Sequence, residues 1–148
     1  MLQMNVKISD YGIARLASAT GLHSSEGTPG YRAPEVVKGQ PYSRPADVFS
    51  YGVVLYELLH DGTHPYATTD VGHRIDENML DGLHYSLSLP PGGQRAQQQQ
   101  RWAVVQDVIA QCFSWSPDDR PKVSYQRWWD NIFWCNRTMI DMYLYVHM

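Results

Sequence analysis

Residues 44–60, RPADVFSYGVVLYELLH, constrain the fold of this chain more than any other stretch. Val48, Phe49, Tyr51, Val53, Val54, Leu55, Tyr56, Leu58 and Leu59 cover nearly every direction around a helical axis. A helix apolar on all sides has to be enclosed by other elements, so it is expected in the middle of a domain. Pro45 suits the first helical turn, and Asp47 places negative charge near the positive end of the helix dipole. Asp61-Gly62 supplies the turn that ends it.

Whatever encloses this helix has to come from short, amphipathic neighbours. YRAPEVV, residues 31–37, opens a short helix. Ile75, Met79 and Leu83 are four apart and predict another within 70–83. In residues 101–113, Val105, Val108, Ile109 and Cys112 follow the i, i+3, i+4, i+7 rule, which makes Cys112 a core thiol and not a nucleophile. The glutamine run ahead of them starts that helix, and LPPGGQRAQ at 89–97 reads as a surface loop. SWSPDDRP is a turn. A last helix is expected over 123–134, with Tyr125, Trp128, Trp129, Ile132 and Phe133 on one side. The Ser-, Thr- and Gly-rich stretch 16–30 has no periodicity and reads as a long loop, a place where function concentrates. Ahead of it, Val6 and Ile8 alternate with Lys7 and Ser9 as a short strand does, and Asp10 stands at its end with Gly12 free to turn.

Four of these pieces stand in a fixed order: DYG at 10–12, EGTPGYRAPE at 26–35, DVFSYGVVLYEL at 47–58 and DDRP at 118–121. In that order they resemble the C-terminal half of a eukaryotic protein kinase domain, over about residues 5–134. SDYGIAR followed by EGTPGYRAPEV is similar to the leucine-rich-repeat kinases of the Roco type, in the tyrosine-kinase-like group, and GTPGYRAPE looks like a Ser/Thr-specific substrate loop. The resemblance implies a protein-kinase-like C-lobe, mainly α-helical with a short N-terminal β element, the N-lobe and catalytic loop being absent. It divides the chain into a partial kinase domain at 1–134 and a C-terminal extension at 135–148. Within the domain lie an activation segment at 10–35, the buried helix at 44–60 and C-terminal helices at 70–134.

The same resemblance assigns roles. Asp10 matches the aspartate that holds Mg²⁺ against the ATP phosphates, a hard cation that neutralises charge on the phosphate oxygens. Tyr11 replaces the commoner Phe, and its hydroxyl needs a partner if buried. That bond is expected to bias the triplet towards one arrangement, while Gly12 lets the next segment swing. Thr28 is expected to help select the acceptor hydroxyl, and Pro29, Gly30 and Tyr31 to shape the pocket beside it. Ser18, Thr20, Ser24 and Ser25 are hydroxyls that could take regulatory phosphate, although each by itself is an ordinary loop residue. Glu35 and Arg120 match a buried ion pair that ties the loop to the helical base. Asp47 matches an acid that accepts backbone N–H groups of the catalytic loop. Glu35, Asp47 and Arg120 are thus architectural.

These 148 residues contain no Gly-rich phosphate loop, no Val-Ala-Ile-Lys-like strand and no His-Arg-Asp with a downstream Asn. The resemblance therefore assigns the catalytic base to no residue of this chain. Mg²⁺ and ATP are expected for the intact domain and not as tight ligands of this chain, which is expected not to turn over ATP alone. With part of its cover missing, the central helix is also expected to leave the isolated chain marginal or sticky. The expected partners are a protein substrate and the missing N-terminal half of the kinase. A net charge of -3 without a basic block gives nothing to recommend a nucleic-acid reader, and none is expected. Two cysteines and no leader suggest a reducing, cytoplasmic setting, and no transmembrane segment is expected. The alternative is a non-catalytic, kinase-derived interaction module that binds through residues 69–83 and the Trp-rich helix. A scaffold whose kinase motifs have become irrelevant is a weaker third.

Overall fold

The computed structural model describes residues 9–16, 18–67, 75–81 and 96–122, with side chains throughout except at 96–102. Among these residues the regular structure is four helices and one 3₁₀ turn: α1 (Pro34–Val37), α2 (Pro45–Leu59), α3 (Ile75–Leu80), α4 (Ala96–Cys112) and the turn Pro117–Asp119. No strand forms among the described residues. An isolated antiparallel bridge joins Leu22 and Tyr42. The N-terminal β element expected at Val6 and Ile8, the helix expected over 123–134 and the extension 135–148 all lie outside the described residues.

α2 starts with Pro45 in its first turn, where a missing N–H leaves no hydrogen bond unmade. It ends where Asp61 and Gly62 take left-handed backbone angles and the Gly62 N–H returns to the Glu57 carbonyl at 2.8 Å. Its buried residues are Ala46, Val48, Phe49, Gly52, Val53, Leu55 and Tyr56. It is not enclosed on every side, however. Val54 and Leu58, one turn apart, remain 44% and 51% exposed, so burial is a broad stripe and not a full circle.

That stripe faces α4. Val105, Ile109 and Cys112, spaced 4 and 3 residues apart, are buried against it. Gly52 lets the helices touch: a Cβ placed there would stand 2.6 Å from the Cys112 Cβ and 3.1 Å from the Phe113 ring. Below the contact, Phe49, Tyr66 and Phe113 form an aromatic cluster. Phe49 and Tyr66 are stacked at 6.3 Å between ring centroids, and Phe113 lies tilted 5.4 Å from Phe49 and 5.8 Å from Tyr66. Met79 of α3 and Val36 of α1 complete the same core. The glutamine run does open α4, at Ala96, so the surface loop expected to run to Gln97 gives way to helix two residues early. α3 stops at Leu80, and Leu83 lies outside the described residues.

Candidate functional site

The 28–32 loop, Thr-Pro-Gly-Tyr-Arg, is the most heavily tied polar segment described. Thr28 accepts the Tyr31 N–H at 3.2 Å and so closes a tight turn. α2 holds Tyr31 at both ends: the Ser50 hydroxyl donates to the Tyr31 carbonyl at 2.7 Å, and the Tyr31 hydroxyl donates to the Glu57 carboxylate at 2.9 and 3.0 Å. Burial, then the bond and charge of Glu57, push the Tyr31 phenol above its usual range. The phenol therefore stays a donor.

Gly30 is held from two other segments. Its N–H donates to Asp76 Oδ1, in the first turn of α3, at 2.7 Å. Its carbonyl accepts from His64 Nε2 at 3.0 Å. With φ at +90° and a would-be Cβ 2.8 Å from His64 Nε2, this position is suited to glycine alone. Arg32 pairs with Asp76 Oδ2 and donates from Nη1 to the Ser25 carbonyl at 2.9 Å. Thr28 and Pro29 are exposed.

His64 has Glu57 of α2 and Asp76 of α3 as its charged neighbours, with Tyr31 edge-on at 5.6 Å. Burial lowers its imidazole below the ordinary 6.5, against the opposing pull of the Gly30 carbonyl, Glu57 and Asp76. Well above pH 6.5 both folded and unfolded chains carry the neutral ring, and nothing is lost. As pH falls below that value the unfolded chain takes the proton first, so stability declines until pH has passed the lower folded value. Denaturant midpoints measured between about pH 7.5 and 5 should show this decline. His64→Gln, which cannot titrate, should make the acid limb shallower; an identical limb in both proteins would contradict the assignment.

The loop is also anchored from below. Glu35 and Arg120, 85 positions apart, form a two-pronged pair: Nη1 to Oε1 at 2.7 Å and Nη2 to Oε2 at 2.8 Å. Both residues are at most 5% exposed. Arg120 also donates to the carbonyls of Ser114 at 2.8 Å, Pro45 at 3.0 Å and Trp115 at 3.2 Å. All five guanidinium N–H groups are thereby used, the condition under which a buried arginine is tolerated. Its guanidinium also lies 5.2 Å from the centre of the Phe49 ring.

The other residues singled out from the sequence are more open. Asp10 is exposed, with φ at +62°, which aspartate tolerates better than most side chains. Its Oδ1 accepts the Gly12 N–H at 3.4 Å. Tyr11 is 68% exposed, so burial does not force a partner on its hydroxyl here. Asp47 is exposed in the first turn of α2, although the protein around it desolvates the carboxyl enough to raise it above the usual range. Ser18 donates to the Gly21 carbonyl at 2.7 Å and meets the Thr20 hydroxyl at 3.3 Å. Ser24 shares a 2.6 Å bond with the Tyr42 hydroxyl, and Ser25 is exposed.

Among the described residues no group of three His, Cys, Asp or Glu side chains could hold a metal ion. Mg²⁺ takes six oxygen ligands, several of them waters and phosphate oxygens. Asp10 fits as one donor to such an ion; the described residues do not make a magnesium site by themselves.

Sequence reasoning missed Ser50, Glu57, His64 and Asp76. Glu57 had a signal, a lone acid inside an apolar helix. His64 and Asp76 had none, since each finds its partner at a distance of 34 and 46 residues.

Residues 1–128 match the protein kinase domain family. The chain is similar to leucine-rich repeat serine/threonine-protein kinase 1 of Mus musculus, 36% identical over 121 residues, which is 80% of this chain and 5% of that protein. It is also similar to serine/threonine-protein kinase PkaA of Streptomyces coelicolor, 35% identical over 122 residues, 80% of this chain and 20% of that protein. Serine/threonine-protein kinase STY46 of Arabidopsis thaliana is 52% identical over 62 residues, 41% of this chain and 11% of that protein. The chain thus spans only a small part of the length of each relative. Among the described residues no helix is long and apolar enough to cross a membrane.

Proposed function

The chain belongs to the protein kinase domain family, and from that premise we propose that it is the C-terminal lobe of a Ser/Thr kinase domain of the Roco-like kind. The intact domain transfers a phosphoryl group from Mg-ATP to protein hydroxyls. The observation that carries this reading is the 28–32 loop. It presents exposed Thr28 and Pro29 on a turn whose next two residues are tied to α2, α3 and His64. Phosphoryl transfer depends on positioning and electrostatics more than on covalent chemistry by the protein. A rigid, pre-set loop is what an acceptor peptide needs beside it.

Each residue has a share in this. Thr28 meets the acceptor hydroxyl's surroundings, and Gly30 and Tyr31 form the wall of the pocket for the neighbouring residue. Asp10 supplies one oxygen ligand to magnesium, which when bound neutralises charge on the phosphate oxygens. Glu35 and Arg120 keep the loop seated on the helical base. Asp47 waits to receive N–H groups of a catalytic loop. These 148 residues hold no general base, so transfer requires the N-terminal half of a kinase domain as partner. The setting that fits is cytoplasmic.

The test is a mixing experiment. Purified chain is assayed with Mg-ATP and a Ser/Thr peptide, alone and with the N-terminal half of a relative's kinase domain. Transfer should occur only in the mixture and fall roughly 10²–10³-fold with Asp10→Asn, the scale of losing one preorganised charge contact. Undiminished transfer by the Asp10→Asn mixture would sink the reading. A second reading is the non-catalytic interaction module that binds through residues 69–83 and the Trp-rich helix, a surface that the exposed Val54 and Leu58 on α2 would extend. It predicts partner binding that Asp10→Asn leaves alone and Val54→Asp abolishes.

A further inference from the structure

The polar groups around Gly30 and Tyr31 are satisfied in a particular way. The two N–H groups go to Asp76 and Thr28, and the two carbonyls to His64 and Ser50. Thr28 belongs to the same turn and Ser50 to the same helix that binds the Tyr31 ring. Asp76 and His64 come from segments that no kinase motif of the sequence includes. Between them they grip one residue from both sides, and that residue is a glycine at φ +90°.

A glycine has the widest backbone freedom of any residue and loses the most on being fixed. Fixing this one needs a donor on its carbonyl and an acceptor on its N–H, both rigidly placed. Asp76 is rigid because its second oxygen takes the Arg32 guanidinium. One carboxylate therefore bridges Gly30 and Arg32, the two neighbours of Tyr31. His64 is oriented by its other nitrogen: the Tyr66 N–H donates to Nδ1 at 3.2 Å. Nδ1 must then be the acceptor, which leaves the proton on Nε2, the atom facing the Gly30 carbonyl. Tyr66 is itself buried in the aromatic core, so the tautomer is set by the core. Asn78, two residues beyond Asp76, donates to the Tyr66 carbonyl at 3.1 Å and ties α3 to the same turn.

We propose that His64, as the Nε2–H tautomer, and Asp76 are positioning residues of the substrate loop: together they set the orientation of the peptide bonds flanking Gly30 and thereby the pocket beside the acceptor residue. This rests on the kinase reading for its meaning, but the clamp itself is a property of the chain.

The experiment is amide hydrogen exchange by NMR on the full chain at neutral pH, for wild type, His64→Gln, His64→Asn, Asp76→Asn and Asp76→Ala. A Gln amide nitrogen reaches where Nε2 stands; an Asn amide nitrogen reaches only where Nδ1 stands. His64→Asn and Asp76→Ala should raise exchange at Gly30 and Tyr31 roughly tenfold, the scale of one lost hydrogen bond. His64→Gln should stay within about threefold of wild type, whereas Asp76→Asn, which keeps one acceptor for the Gly30 N–H but turns an amide NH₂ towards Arg32, should fall between wild type and Asp76→Ala. Val53 and Leu55 in α2 report the global fold and should not change. Equal exchange in His64→Gln and His64→Asn overturns the tautomer-specific role. Unchanged Gly30 exchange in Asp76→Ala overturns the clamp, as does a parallel rise at Val53 in all four variants. In the mixed assay, His64→Asn and Asp76→Ala should raise the peptide KM about tenfold with the ATP KM unchanged; an unchanged peptide KM overturns the positioning role. Exchange needs no phosphate transfer, so a protected loop in a mixture that transfers nothing would count against the kinase reading and leave the clamp standing.

Discussion

Arg120→Met is expected to destabilise the chain by about 3–5 kcal/mol, the cost of leaving one partner of a buried ion pair uncompensated. Methionine keeps the apolar contact with Phe49 and removes all five donors. The Glu35 carboxylate is then left in a protein interior, and the carbonyls of Pro45, Ser114 and Trp115 lose their partner together. These carbonyls belong to the start of α2 and to the segment after α4, and Glu35 belongs to α1, so the loss loosens three segments at once. A domain of ordinary stability, about 5–15 kcal/mol, would retain little. Urea unfolding should show a midpoint lower by roughly 2 M. Arg120→Lys should fall between, because an ammonium keeps the charge but not the fork. Glu35→Met combined with Arg120→Met should recover much of the loss, since no lone charge remains. A midpoint for Arg120→Met within about 0.5 M of wild type would show that the pair does not anchor the loop.

The second large effect is expected at Gly52. By intrinsic preference alone, alanine should stabilise a helix interior over glycine by about 1 kcal/mol. Here the added methyl would sit 2.6 Å from the Cys112 Cβ. A Cβ is fixed to its own backbone and cannot rotate aside, so α2 and α4 have to separate. Overpacking of this kind costs about 1–3 kcal/mol, and the Phe113 ring at 3.1 Å crowds the same position. Gly52→Ala should therefore lower the melting temperature, by roughly 3 °C for each kcal/mol, and Gly52→Val should lower it further. Cys112→Gly, which removes the opposing atom, should restore part of the loss in Gly52→Ala. A rise in melting temperature for Gly52→Ala would mean that helix preference outweighs the contact.

Several elements were legible because their signal is local. α2 announced itself by its apolar run, its early proline and the Asp-Gly stop. The i, i+4, i+7 set of Val105, Ile109 and Cys112 marked the buried face of α4. Legibility stopped where the environment mattered. The all-round apolar pattern of α2 predicted enclosure, yet Val54 and Leu58 are exposed, because composition reports what a surface prefers and not what is there to cover it. Asp47 was plain as an acid in the first turn of α2, but neither its exposure nor the desolvation that raises its carboxyl could be read from the sequence.

The order and identity of a few short stretches carried the resemblance to the family, and the apolar pattern marked the central helix. Periodicity along a chain says which face is apolar, because that depends only on spacing. It cannot say which polar atom meets which, because hydrogen bonds depend on ångström-scale placement across long separations. Only the tertiary structure brought Asp76 and His64 to the two sides of Gly30, across 46 and 34 residues, and placed Gly52 against Cys112. The tautomer of His64 in turn follows from the Tyr66 N–H that faces its other nitrogen.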